Sequence, residues 1–202
     1  LQGAHRARVR VHYGAGRLSL QAGTRPGELI CGTFGGGLEH TSRREGDLLD
    51  VDMRMPTDRF SPFSLPWVWG ARGAMSWSVA LSNEIPLMLD LETGASDTRL
   101  DLSELLLTEL RLKTGASATR LTLPAHAGQS RVDIKAGAAS VEVRVPPGVA
   151  ARIRVDGSLA GIKVDSSRFP RVGDVYQSSD YDSAANKVDV TVEIGAGSID
   201  IR

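Results

Sequence analysis

The sequence predicts an all-β fold, a single-stranded right-handed β-solenoid with coils of about 20–22 residues. Three observations carry this reading. A strand–turn–strand unit recurs along the chain, apolar and polar residues alternate within each arm, and the composition is rich in glycine (22 residues) and poor in aromatics (5%).

The unit is visible in five places. Leu89 to Leu102 reads LDLETGASDTRLDL, and Leu110 to Leu123 reads LRLKTGASATRLTL. Val132 to Val143 reads VDIKAGAASVEV, Val190 to Ile201 reads VTVEIGAGSIDI, and Val9 to Leu20 reads VRVHYGAGRLSL. The Gly-Ala turns of these copies start at Gly14, Gly94, Gly115, Gly137 and Gly195, with gaps of 80, 21, 22 and 58 residues. The two long gaps are near whole multiples of one coil. Degenerate copies at Ile153 to Val164 and Leu29 to Glu39 are expected to fill some of the missing slots.

Within a coil, alternation sends Leu100, Leu102, Leu121, Leu123, Val141 and Val143 to one face. Arg99, Asp101, Arg120, Thr122, Glu142 and Arg144 go to the other. A slip of one residue would exchange the faces, so the register is well specified. A β-sandwich also places strands every 8–12 residues or so. It does not repeat one turn tripeptide at a fixed period. Ser103 to Leu110, SELLLTEL, suits either a turn of helix or the third side of a coil. The right-handed sense follows the bias of parallel β crossovers. Residues 1–202 are read as one domain.

One stretch breaks the pattern. Met55 to Trp77 contains Pro56, Pro62 and Pro66, which no central strand tolerates. It also holds Phe60, Phe63, Trp67, Trp69 and Trp77. The expectation is a loop inserted between coils, with these five aromatics as the candidate interaction surface or, alternatively, as a cover over exposed core.

Lys+Arg and Asp+Glu are both 24, for a formal net charge of zero. The longest basic cluster is Arg43-Arg44, so nucleic acid is not an expected partner. The single cysteine, Cys31, excludes a disulfide within the chain; its apolar neighbours Leu29 and Ile30 predict a buried position. No apolar run reaches the roughly 18 residues of a membrane helix. The chain starts at Leu1 rather than Met, as expected of a mature or trimmed product.

The sequence contains no nucleophile elbow, P-loop, paired-histidine zinc motif or C-x-x-C. His5, His12, His40 and His126 are scattered, without ligand spacing. Ser96 and Ser117 occupy equivalent repeat positions, which argues for turn geometry over nucleophilic chemistry. Asp50 with Asp52, and Asp180 with Asp182, could supply weak calcium ligands but read better as solvated faces and loops. Catalytic residues, cofactor and metal are accordingly all expected to be none.

From the Val145-Pro146-Pro147-Gly148-Val149-Ala150 turn, the chain runs through GSLAGIKVD (Gly157 to Asp165) and Tyr181. It continues through Asn186 to Val190 and closes on GAGSIDIR. This part resembles LiaF-type cell-envelope proteins and the wider group of bacterial toast-rack β-solenoid domains, which includes domains described as adhesins. The Gly-Ala coils from Leu89 onward match the same style, and the N-terminal part matches loosely. The resemblance implies a bacterial, extracytoplasmic or membrane-proximal location and supplies no catalytic residues.

Three functions follow as expectations. The first is a non-enzymatic interaction or structural domain at the cell surface, with a protein partner or a second copy. The second is the extracytoplasmic part of an envelope-stress signalling protein. The third is a polysaccharide-acting enzyme with its site built across coils. Because alternation runs almost to both ends of the chain, Val9 and Val11 are expected to meet Ile199 and Ile201 of another copy in an end-to-end filament.

Overall fold

In a computed structural model, residues 1, 3–56 and 75–202 are described, Ser158 by its backbone alone. The elements are β1 (Arg6–Ala22), β2 (Ile30–Phe34), β3 (Glu39–Glu45), β4 (Leu48–Arg54), β5 (Ser76–Leu81) and β6 (Leu87–Asp101). They continue with β7 (Leu107–Thr122), β8 (Gln129–Arg144), β9 (Ala150–Val164), β10 (Arg171–Val172), β11 (Val175–Gln177) and β12 (Lys187–Ile201). No helix forms among the described residues, and Ser103 to Leu106 is a turn leading into β7. The fold is all-β, built on one large, mixed, mostly parallel sheet.

The long strands each carry two arms. In β6 the inward residues are Leu87, Leu89, Leu91 and Thr93 before the Gly94-Ala95 corner, and Ser96, Thr98 and Leu100 after it. The alternation therefore slips by one residue at the corner. In a straight strand that slip would throw the second set of side chains to the outside. Both arms face the same core only if the chain turns there. The same slip occurs in β8, where Val132, Ile134 and Ala136 are followed by Ala139, Val141 and Val143. The core lies inside the row of bends. It contains Leu100, Leu102, Leu121, Leu123, Val141 and Val143, each no more than 2% exposed, as the alternation predicts.

The corners stack. Gly94 lies over Gly14, Gly115 over Gly94, Gly137 over Gly115, and Gly195 over Gly137. Beside them, the Thr93 hydroxyl bonds that of Thr114 at 2.9 Å, and Thr114 bonds Ser117 at 2.6 Å, so the hydroxyls buried at the bend satisfy one another.

The spatial order differs from the order along the chain. The main path runs β10-β11-β9-β12-β8-β7-β6-β1-β4-β3. β1 is parallel to β6 along nearly its whole length, so the 80-residue gap between Gly14 and Gly94 is a single step in space. β12 lies between β8 and β9, so the 58-residue gap is also one step. The Ile153 to Val164 copy does form, as β9, but it lies beyond β12 and not between β8 and β12. The Leu29 to Glu39 stretch instead forms β2 and the turn beyond it, with β2 antiparallel to β5.

Beyond β1, one coil is split. β4 pairs with the first arm of β1 and β5 with the second, both parallel. The inserted segment joins them where the other coils have a Gly-Ala corner. Its feet are held in register: the Met55 amide donates to the His12 carbonyl at 3.1 Å, and the Arg17 amide donates to the Met75 carbonyl at 3.0 Å. The Tyr13 hydroxyl also reaches the Met75 carbonyl, at 2.8 Å.

Antiparallel strands finish this end. β3 covers β4, setting His40, Ser42 and Arg44 opposite the core residues Met53, Val51 and Leu49, and β2 covers β5. Every residue of β3 is exposed. Cys31, expected to be buried, is exposed because β2 is a border strand paired on one side by β5. At the opposite end β11 covers only the start of β9, pairing at Arg152 and Ile153.

Candidate interaction surfaces

The outer face of the first arms is a lattice of charge. Across β4, β1, β6, β7 and β8, the register places Asp52, Arg10, Asp90, Arg111 and Asp133 side by side, so the sign alternates at every step. Arg10 lies 2.6 Å from Asp50 and 3.5 Å from Asp52. In the neighbouring row Lys113 pairs with Glu92 at 2.9 Å and Lys135 with Glu193 at 2.8 Å. The Arg54 hydrogen bond holds the Asp52 carboxyl below its usual range, and Lys113 followed by His12 does the same for Glu92. Exposed pairs of this kind contribute little singly, about 0–1 kcal/mol each. Their joint effect is to favour one strand order and one register. Asp50 and Asp52 are thus members of an ion-paired face.

His12 sits between two carboxylates, 3.1 Å from Glu92 and 3.7 Å from Asp52, while His5, His40 and His126 lie exposed elsewhere. Among the described residues no three His, Cys, Asp or Glu side chains converge as a metal site. Asp180 and Asp182 fall in a turn, where Asp182 approaches Arg152 at 3.5 Å. A shallow groove of about 650 Å³ follows the stacked corners between His12, Glu92 and Lys113 and ends at Met55. Of its charged walls, Glu92 pairs with Lys113 and His12, Arg54 with Asp52, and Lys135 with Glu193.

Phe60, Phe63, Trp67 and Trp69 lie outside the described residues. Trp77 belongs to the core, at 1% exposure, and not to a surface. It packs edge-on to Phe34 with centroids 5.2 Å apart, stands 5.4 Å from Tyr13, and donates its indole N–H to the Gly35 carbonyl at 3.2 Å. Val9, Val11, Ile199 and Ile201 are likewise fully buried, because β1 and β12 run between other strands. They cannot form an end-to-end contact.

The surface that sequence reasoning missed is at the β9 end. Of the four exposed large apolar residues described, Leu159, Ile162 and Val172 lie there, and Met75 is the fourth. Leu159 is 81% exposed and Ile162 41%. Among the described residues no strand pairs with the outer edge of 157–164. GSLAGIKV carries one charge, Lys163, as do most equivalent arms, so its charge content does not mark it in the sequence; what differs is Leu159 on the outer side, where the β12 arm has Ala196.

Stacked glycine corners, two-armed parallel strands and a core enclosed by the bends define a toast-rack type of all-β repeat domain. The chain belongs to the family described as the N-terminal domain of toast_rack, DUF2154, which matches residues 1–144. Among solved structures it is similar to one from Clostridium sporogenes ATCC 15579 described as a "putative cell adhesion protein". That likeness has a TM-score of 0.86 at 21% identity and covers 99% of this chain and 93% of that one, which shows a shared fold. No curated protein matches the chain. The family match covers the N-terminal part, where the resemblance was looser, and the structural likeness extends over the remainder.

Proposed function

We propose that this chain is a non-enzymatic β-solenoid interaction domain working outside the cytoplasm, at a bacterial cell surface. One observation carries the reading. The charged outer face is neutralised within itself, while exposed apolar side chains gather at one end of the sheet. A patch of this kind is a protein contact rather than a catalytic cleft. The resemblance to a structure described as belonging to cell adhesion supports the location. A second reading, the extracytoplasmic part of an envelope-stress signalling protein, is supported by the LiaF-like run from Val145 to Arg202.

The test is binding of fluorescently labelled chain to intact bacterial cells. Saturable binding that unlabelled chain displaces is expected, with no turnover in parallel assays on wall sugars, phosphodiesters and esters. Non-saturable background binding would overturn the proposal, as would turnover abolished by a single carboxylate or serine substitution.

A further inference from the structure

The two ends of the sheet are finished differently. At the β3 end both arms are covered, β4 by β3 and β5 by β2, and β3 turns polar side chains toward the core. Inward-pointing polar and charged residues on an edge discourage further pairing. At the β9 end only the first arm is covered. Among the described residues the second arm, 157–164, has no strand partner on its outer edge, where Leu159 and Ile162 stand exposed.

The register with β12 fixes which way this arm faces. Ala160, Ile162 and Val164 lie beside Gly197, Ile199 and Ile201, so they are on the core side, whereas Leu159, Gly161 and Lys163 are on the outer side. We propose that this edge pairs antiparallel with the same edge of a second copy, about a twofold axis passing through Gly161. The proposal deepens the interaction reading above by naming the partner.

The argument for a second copy is self-complementarity. A twofold axis perpendicular to a sheet pairs residues of equal parity, so an axis at Gly161 sets Ile162 opposite Ala160 of the second copy. It also sets Lys163 opposite Leu159, whose exposed side chain the lysine stem can cover. No two like charges face each other, because Lys163 is the one charged residue of the arm. Gly161 meets its own counterpart without a side chain, and the two cores join across the seam. A head-to-tail filament would instead require the polar, covered β3 end as its second surface. The contact is isologous and closes at two copies.

Sedimentation velocity over a wide concentration range tests this, with two opposite substitutions at the exposed Leu159. Leu159→Lys places lysine against Lys163 of the second copy and is expected to weaken the dimer by about tenfold or more. Leu159→Glu places a carboxylate there and is expected to leave the dimer intact or tighten it. In a Cys31→Ser background, Gly161→Cys is expected to form a disulfide-linked dimer on mild oxidation. Residues self-paired on the axis stand about 4.5–5.5 Å apart, within disulfide reach. The position has room, since an added Cβ meets only the Gly197 carbonyl oxygen, at 3.9 Å. A strict monomer, assemblies larger than two, equal effects of the two charges, or no disulfide would each overturn the proposal. A Leu159→Lys monomer that still binds cells would leave the cell-surface reading standing, whereas a wild-type dimer that binds no cells would remove that reading alone.

Discussion

Gly94 shows why the corner is glycine. A Cβ built there would stand 2.3 Å from the carbonyl oxygen of Gly14, so the stacked backbone would have to shift to admit it. A Cβ on Gly14 meets nothing within 4 Å. Gly94→Ala is therefore expected to lower stability by about 1–3 kcal/mol. Gly14→Ala is expected to stay within about 0.5 kcal/mol of the parent. Thermal and urea melts of the two variants check the contrast, and equal effects would contradict it. Two tyrosines supply a pH dependence. Burial pushes the Tyr13 phenol up to about 12, and burial followed by the Asp189 hydrogen bond does the same for Tyr181. Each phenol ionises more readily in the unfolded chain, near its ordinary 10.0. The contribution of these two tyrosines should be level below pH 10, then fall as pH rises from about 10 toward 12. Melting temperature against pH, with ionisation followed by ultraviolet absorbance, checks it, and Tyr13→Phe should flatten part of the fall.

At the scale of elements, the insertion replaces a corner. Four residues, Tyr13 to Gly16, connect His12 to Arg17 in β1, and the strands to which Arg54 and Ser76 belong lie in register with them. Replacing 55–75 by Tyr-Gly-Ala-Gly should therefore leave the sheet intact, with an unchanged far-ultraviolet circular dichroism spectrum and a cooperative melt. Loss of folding would show that the segment itself completes the core. The arms, their inward faces and the corner glycines were legible in the sequence, because alternation and repetition are local signals. Cys31 was misplaced because Leu29-Ile30-Cys31 looks the same in a central strand and in a border strand, and only pairing distinguishes them. Trp77 was grouped with the insertion by composition, although it lies one residue inside β5 and packs under Phe34.

For the whole molecule, the stacking order was the feature the sequence concealed. Every coil presents much the same inward Val, Leu or Ile pattern, so any coil can neighbour any other as far as the core is concerned. Discrimination falls to the outer charges, such as Arg10 between Asp52 and Asp90. These are individually weak and become readable only once the neighbours are known. The β9 edge is hidden in the sequence for a related reason: the last strand of the chain, β12, lies inside the stack, so Ile199 and Ile201 do not mark its end. A truncation follows from the observed order. Deleting 187–202 removes the strand that joins β8 to β9, so it should abolish cooperative folding. Limited proteolysis of that variant should release the β9–β11 region early. A melt like that of the parent would contradict the order described.

Because the first and last strands both run parallel between neighbours on either side, a force applied through the two ends of the chain meets an unusual resistance. Tension on Leu1 draws β1 lengthwise past β4 and β6, and tension on Arg202 draws β12 lengthwise past β8 and β9. The rungs on both flanks of each strand are then loaded together in shear, whereas an edge strand would be peeled off one rung at a time. Such a chain, held at both ends in flowing liquid, should yield abruptly and at high load, with a lifetime set by its unfolding rate. Single-molecule pulling would show this as one large rupture in place of a staircase of small ones.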